Sequence, residues 1–168
     1  MRKVLAIACG ILLLVALSAC SAKSVEPTNI VFAFTCSAKV TTKNGDVSCT
    51  ITRAAPQSES ITVQSPKELN GMTYTWEDNF SISYEGLQTK STDCTLPPSS
   101  FAAQIVGVLD AASKQDALTD VGDSVFTGKF DNDTYTLTVD SKTGHIQQIE
   151  IPRYGISAKL DHYKNISE

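Results

Sequence analysis

The chain has 168 residues, of which 42% are hydrophobic and 19% charged, and its formal net charge at pH 7 is −4. This composition suits a single globular domain, and the mild acidity argues against a nucleic-acid partner or a basic patch on anionic lipid. The apolar stretches are shorter than the ~18 residues expected of a transmembrane helix.

The first twenty residues have the pattern of a segment that is removed from a mature protein. Arg2 and Lys3 form a basic start, residues 4–17 form a short apolar run, and Leu-Ser-Ala-Cys ends it at Cys20. A basic start, a short apolar region and small residues before a cut site are typical of a secretory signal. An ordinary signal peptide or signal anchor is the alternative, but neither requires a cysteine at the cut site.

The four residues ending at Cys20 resemble the lipobox of bacterial lipoproteins. The resemblance implies that the Cys20 thiol is diacylated, that the chain is cut before it, and that the lipid holds the protein on a membrane. Two acyl chains anchor a protein stably, whereas one does so only marginally. We therefore expect a lipoprotein signal peptide at 1–19, the lipidated cysteine and a tether at 20–28, and a single domain at 29–168 on the extracytoplasmic face of the cell membrane.

Alternating apolar and polar residues predict strands through the first half of that domain. The runs of period two cover residues 32–40, 47–51, 61–64, 73–76 and 80–84. Asn44-Gly45 predicts a tight hairpin turn, because both residues tolerate positive φ. Pro66 and Asn70-Gly71 interrupt the pattern. Residues 86–94 are less regular and predict only a short strand or a loop.

The second half predicts one helix followed by a meander of strands. Phe101, Ile105, Val108 or Leu109, and Ala112 recur at helical spacing, with Ser99 or Ser100 available as a cap. Residues 114–123 predict a polar exit from the helix. The runs 125–130, 134–139, 146–151 and 156–160 are joined by short links, which force antiparallel neighbours. The predicted fold class is α+β, an antiparallel sheet of about seven to nine strands packed on one main helix.

The C-terminal meander contains Tyr-Thr-Leu-Thr-Val-Asp at 135–140, Lys-Thr-Gly at 142–144, Ile-Glu-Ile at 149–151 and Ala-Lys-Leu-Asp-His-Tyr at 158–163, and Pro66, Leu69, Gly71, Tyr74 and Trp76 precede it. The meander residues resemble the end of the LolA/LolB-like lipoprotein-carrier superfamily, and the earlier residues resemble its middle portion. The chain is also similar to small lipoproteins of Gram-positive bacteria. The resemblance implies a curved, half-barrel sheet that holds an apolar cavity for acyl chains. The chain departs from the larger carriers in having one clear helix and in lacking an arginine-rich surface, and no binding residue is transferred by name.

Aromatic residues are the candidate ligand-binding positions. If the sheet curves, its inner face lines a pocket, and such pockets are mostly apolar with few polar groups. The alternative is that the same side chains form a plain core. The candidates are Phe32, Phe34, Tyr74, Trp76, Phe80 and Tyr84.

Three cysteines remain in the domain once Cys20 is acylated. Cys36 and Cys49 are a candidate disulfide because an extracytoplasmic location allows one. A two-residue turn at Asn44-Gly45 would set Cys49 opposite Val40, so the bond requires a longer loop or a bulge. Burial of all three as small apolar residues is the alternative, and Cys94 is the candidate thiol for a dimer.

The sequence contains no catalytic signature and predicts a protein that is not an enzyme and has no cofactor. The spacing of Cys36, Cys49, His145 and His162 does not suit a metal site, and Asp131-Asn132-Asp133 suits a turn better than calcium. We expect a membrane-anchored envelope lipoprotein that binds a lipid, an acyl chain or another hydrophobic ligand. The alternative is an envelope scaffold with a filled core that engages a partner protein.

Overall fold

A computed structural model describes residues 25–93, 96–97, 99–164 and 166, and these residues form one antiparallel sheet and one α-helix. Three short 3-10 turns cover Pro27–Asn29, Lys67–Leu69 and Pro152–Tyr154. The eleven strands and the helix α1 are, in chain order, β1 Phe34–Thr42, β2 Gly45–Ala55, β3 Ser58–Ser65, β4 Thr73–Trp76, β5 Phe80–Tyr84, β6 Leu87–Ser91, α1 Phe101–Ala112, β7 Thr119–Gly122, β8 Val125–Phe130, β9 Asp133–Val139, β10 Ile146–Ile151 and β11 Ile156–Lys164.

The sheet consists of two meanders that join at the first and last strands. Its order is β6-β5-β4-β3-β2-β1-β11-β10-β9-β8-β7. The central β1–β11 pair sets Val40 opposite Ala158 and Ala38 opposite Leu160. The helix connects β6 to β7, which are the two edges, and these edges do not pair with each other in the described chain. The sheet is therefore open.

The prediction of seven to nine strands packed on one helix is wrong, because the described chain has eleven strands in a single sheet that dominates the fold. The main omission is β7, which lies in the predicted polar exit. All four of its residues are exposed. A strand that is exposed on both faces shows no alternation of apolar and polar residues, so the pattern could not reveal it.

The strand limits 73–76, 80–84, 125–130 and 146–151 and the helical stripe that begins at Phe101 are confirmed. Ser100 occupies the N-cap position of α1, although its side chain makes no capping hydrogen bond. The turn of the first hairpin lies one residue earlier in the chain than predicted. Lys43 and Asn44 form the turn, so Cys49 lies opposite Ala38 and not opposite Val40.

One face of the sheet packs against α1 and forms the core. Phe126, Leu137 and Ile149 from the sheet and Ile105 and Leu109 from the helix have no exposed surface. This face is aliphatic at its centre. The opposite face alternates with it and is rich in hydroxyl groups, as expected of an antiparallel sheet with one face toward water. Thr35 donates to Thr52 at 3.2 Å, and the hydroxyls of Thr62 and Thr73 lie 3.1 Å apart.

The segment before β1 packs on the turn between β9 and β10. The Val31 amide donates to the Gly144 carbonyl at 2.9 Å. Gly144 has a φ of 74°, and a Cβ there would overlap the carbonyl oxygen of Asn29. The glycine of the Thr-Gly turn is therefore required both by its backbone conformation and by this close approach.

Candidate functional site

A buried polar network crosses from the sheet to the helix. Arg53 on β2 and Glu59 on β3 are opposite each other in the strand register and are 1% and 2% exposed. The Arg53 Nε lies 2.9 Å from Glu59 Oε1, and Arg53 Nη2 lies 3.0 Å from Asp110 Oδ1 on α1. Arg53 also donates to the Phe32 carbonyl at 2.8 Å and to the Ser113 hydroxyl at 3.1 Å. One guanidinium therefore fastens the end of α1 to the sheet.

Glu59 is the member of this network whose carboxyl group lacks hydrogen-bond partners. Neither of its carboxyl oxygens makes a hydrogen bond of normal geometry, although Oε1 forms the ion pair with Arg53. Burial, followed by the nearby Asp110 carboxyl, raises the pKa of Glu59 to about 8, against the opposing effect of Arg53. One cation between two carboxyl groups can balance one negative charge. This arrangement therefore raises the pKa of Glu59 and favours its protonated form, while Asp110 pairs with Arg53.

The same row of the sheet continues from the polar network into aromatic residues. Glu59 lies opposite Trp76, and Trp76 lies opposite Phe80 on the next strand. The Trp76 and Phe80 rings have centroids 5.2 Å apart. Phe80 is buried, whereas Trp76 is half-buried. Along this row of the sheet, the buried charged residues are therefore followed directly by the aromatic residues.

These two rings line an open cleft of about 540 Å³ beside α1, which we call the aromatic cleft. Leu96, the helix residues 103, 104, 106, 107 and 110, and Phe130 at the end of β8 also line it. Gly107 explains the position of Phe130, because a Cβ on Gly107 would overlap that ring. The Phe130 ring from the sheet therefore occupies the space that a side chain at Gly107 would fill.

The rim of the aromatic cleft is acidic. Glu77, Asp78, Asp110 and Asp131 line it together with Gln57, Asn79 and Thr92. Among the described lining residues there is no lysine or arginine. Glu77, Asp78 and Asp131 are exposed, whereas Trp76 and Phe130 are half-buried and Phe80 is buried.

The structure brings together three of the six aromatic candidates. Tyr74, Trp76 and Phe80 form a continuous group, with Tyr74 and Trp76 centroids 6.3 Å apart. Tyr74 also contacts Phe101 of the helix edge-on at 6.2 Å. Of the three, Trp76 and Phe80 line the aromatic cleft itself.

The other three candidates lie apart from that group. Phe34 is 1% exposed in the core and contacts the ring of Tyr163 at 5.3 Å. Phe32 is half-buried and lies 5.7 Å from the Arg53 guanidinium. Tyr84 donates its hydroxyl to the Glu68 carbonyl at 2.6 Å.

The two described cysteines are buried, free thiols. Cys36 is opposite Ile51 and Cys49 is opposite Ala38, so they occupy diagonal positions on neighbouring strands and the candidate disulfide is not formed in this structure. Burial raises the pKa of each thiol to about 12, which keeps both protonated. Cys20 and Cys94 lie outside the described residues.

The histidines occupy separate surroundings. His145 stacks on Tyr163 with centroids 4.2 Å apart, and His162 Nδ1 lies 2.7 Å from the Asp161 carboxylate. Within the described ranges no group of three His, Cys, Asp or Glu residues is placed to hold a metal ion. None of the described helices is both long enough and apolar enough to cross a membrane.

The sequence reasoning missed Arg53, Glu59, Asp110 and Phe130. A signal existed for the first two. Arg53 has the same strand parity as Cys49 and Ile51, and Glu59 has that of Ile61, so both charges fall on the apolar face. For Phe130 the signal was weaker, because contact with Gly107 requires knowledge of how the helix crosses the sheet.

Comparison with known proteins gives a likeness of fold. No family model matches the chain, and no curated protein matches it. This chain is similar in fold to a LolA superfamily protein. That protein, from Nitrosomonas europaea, is known from a crystal structure; the similarity has a TM-score of 0.42 at 6% identity and covers 80% of this chain and 86% of the other. At this identity the likeness concerns the fold alone.

Proposed function

We propose that this protein is a lipid-anchored, extracytoplasmic binding protein that holds a hydrophobic small molecule or acyl chain in the aromatic cleft, without catalysis. The observation that carries the proposal is an open cleft of about 540 Å³ with Trp76, Phe80 and Phe130 in its lining. The volume of this cleft is in the range typical of small-molecule sites. The placement at the membrane rests on the sequence before Cys20.

The aromatic cleft is a better candidate than the interior beneath the helix. The residues between the sheet and α1, such as Leu109, Phe126 and Leu137, are fully buried and belong to one packed cluster. A ligand there would have to separate the helix from the sheet. The aromatic cleft, in contrast, offers half-buried rings without any rearrangement.

The test uses Trp76, which is the single tryptophan of the chain. The eleven strands and the helix of the described residues lie between Phe34 and Lys164, so a chain beginning at Ser21 contains all of them. The fluorescence emission of Trp76 should shift to the blue when medium-chain fatty acids, alcohols or alkylamines are added below their micelle concentrations, because a bound ligand removes water from the indole ring.

Phe130→Ala is the variant and Tyr154→Ala is its matched control, since Tyr154 is also a half-buried aromatic residue but lies outside the aromatic cleft. We expect Phe130→Ala to weaken binding about tenfold, equivalent to about 1.4 kcal/mol, and Tyr154→Ala to leave it unchanged. Equal effects of the two substitutions, or no emission shift with any probe, would contradict the proposal.

The anchor has a separate test in cells. Cys20→Ala should move the chain from the membrane fraction to the soluble or retained-precursor fraction and abolish incorporation of labelled fatty acid. Cys9→Ala, a cysteine inside the apolar run, is the control and should leave both unchanged. A Cys20→Ala chain that still incorporates labelled fatty acid would refute the anchor.

A second candidate function is a scaffold that engages another envelope protein. It is favoured by Leu87 and Val121, which are 77% and 58% exposed. They lie on β6 and β7, the two edges of the sheet, where unpaired backbone groups can accept a further strand. Crosslinking from these positions in native membranes should capture one defined protein if this function is correct, and Leu87→Lys should abolish the capture.

A further inference from the structure

The aromatic cleft differs in charge from four other clefts of the described chain. A cleft at the β1–β2 and β10–β11 turns includes Lys43 and Arg153, and one below the helix end includes Lys114. Two others include Lys142 and Lys129. The aromatic cleft has four carboxylates and no basic residue among its described lining. Its negative charge therefore belongs to this site and is not shared by every concave surface of the protein.

The nearest cation does not cancel this charge. Arg53 is 1% exposed and is already held by Asp110 at 3.0 Å, so that pair is internally balanced. Glu77 and Asp78 form no ion pair with any described residue. Asp131 is exposed, and the nearby Arg153 is bound by Asp133 at 2.8 Å. Glu77, Asp78 and Asp131 thus have no ion-pair partner among the described residues.

The aromatic rings behind the rim suit the same kind of ligand. The faces of tryptophan and phenylalanine attract cations through their quadrupoles, and the attraction is stronger when water is partly excluded. The Trp76 and Phe80 rings have centroids 5.2 Å apart, and Phe130 lines the same cleft against Gly107. An anionic head group, such as that of a fatty acid, would meet repulsion at the rim.

We propose that the aromatic cleft selects organic cations with an apolar body, such as alkylammonium compounds, over anionic or neutral molecules of the same length. This inference rests on the proposed function and assigns the charge class of the ligand. The cation lies among the rim carboxylates Glu77, Asp78 and Asp131, and the apolar body contacts Trp76, Phe80 and Phe130.

The test compares three probes of equal chain length: octyltrimethylammonium, octyl sulfate and octanol. Binding to the chain beginning at Ser21 is followed by calorimetry and by Trp76 emission, below the micelle concentrations. We expect the cation to bind at least about tenfold more tightly than octanol and octyl sulfate to bind most weakly. Added salt should weaken binding of the cation and leave binding of octanol unchanged, because salt screens exposed charges.

The variant Glu77→Gln/Asp78→Asn removes two rim charges. Its matched control is Glu68→Gln/Glu85→Gln, which removes two exposed charges away from the aromatic cleft. The rim variant should lose most of the preference for the cation and retain octanol binding, whereas the control should keep the preference. If the rim variant does not fold, Asp131→Asn serves the same purpose, since asparagine tolerates the positive φ at that position.

The outcomes separate the two proposals. If octanol and octyl sulfate bind as well as the cation, or if the control variant loses the preference as fully as the rim variant, the charge selectivity is refuted and the hydrophobic-ligand function stands. If none of the three probes binds, the proposed function fails together with the inference.

Discussion

The interior beneath α1 and the aromatic cleft beside it are built from the same face of the same sheet but from different residues. The interior has aliphatic side chains such as Leu137 and Ile149 that are fully buried. The aromatic cleft has Trp76 and Phe130 half-buried and exposed acids around them. Aliphatic side chains fill space without a polar requirement, whereas aromatic rings at an opening retain a surface for a ligand. We therefore assign stability to the interior beneath α1 and ligand binding to the aromatic cleft.

The largest effect should come from the polar network that separates the two regions. Arg53→Leu leaves Glu59 and Asp110 without their cation, and breaking a buried ion pair costs about 3–5 kcal/mol. Urea unfolding measures the loss. Arg53→Leu/Glu59→Leu should recover much of it, because it removes the carboxyl that is most deeply buried. An unchanged unfolding midpoint in Arg53→Leu would show that the network does not hold the helix.

Glu59 also predicts a pH dependence of the same network. Its pKa is raised from the ordinary 4.5 to about 8 in the folded protein, so between these values the folded state holds a proton that the unfolded state has released. Stability must then fall as pH rises through this window. Glu59→Gln should flatten the fall, while Glu68→Gln should retain it. A stability that rises between pH 5 and 8 and is unaffected by Glu59→Gln would contradict this assignment.

A core substitution sharpens the separation of stability from binding. Leu137→Ala leaves a cavity in the interior and should cost about 2–5 kcal/mol, yet the remaining folded protein should bind its ligand with unchanged affinity. Phe130→Ala should show the opposite pattern, with a smaller loss of stability and weaker binding. Calorimetric titration and urea unfolding of both variants measure the two quantities. If both variants lose affinity equally, the two regions are not independent.

The smallest effect concerns Gly107, where the helix and the aromatic cleft meet. Glycine to alanine within a helix normally stabilises by about 1 kcal/mol, but here the new Cβ would overlap the Phe130 ring. Overpacking costs about 1–3 kcal/mol, so Gly107→Ala should be neutral or destabilising. In a Phe130→Ala background the same change should stabilise. Equal effects in both backgrounds would show that the ring does not lie on the glycine.

Local features of the fold could be predicted from the sequence better than its long-range pairing. The limits of β4, β5, β8 and β10 follow from the local pattern of apolar and polar residues. The β1–β11 pair joins residues more than a hundred positions apart, and no turn signal specifies it. The strand order of the single sheet, with β1 beside β11 at its centre, therefore could not be predicted from the sequence.

The candidate site was predictable in part for a similar reason. Tyr74, Trp76 and Phe80 lie on adjacent strands joined by a short turn, so their grouping could be anticipated. Phe34 has the same alternation but lies on a central strand of the sheet, where it is buried and packs against the ring of Tyr163. The alternation of apolar and polar residues predicts which face of a strand is buried, but it does not predict which element covers that face.

The most direct test of the binding function is native mass spectrometry of the chain purified from cells, followed by solvent extraction of what it carries. The account predicts one hydrophobic molecule per chain, displaced by octyltrimethylammonium and lost in Phe130→Ala but not in Tyr154→Ala. A chain that is empty and whose Trp76 emission ignores every added hydrophobic probe would contradict the account, and would favour the protein-binding function of the edge strands.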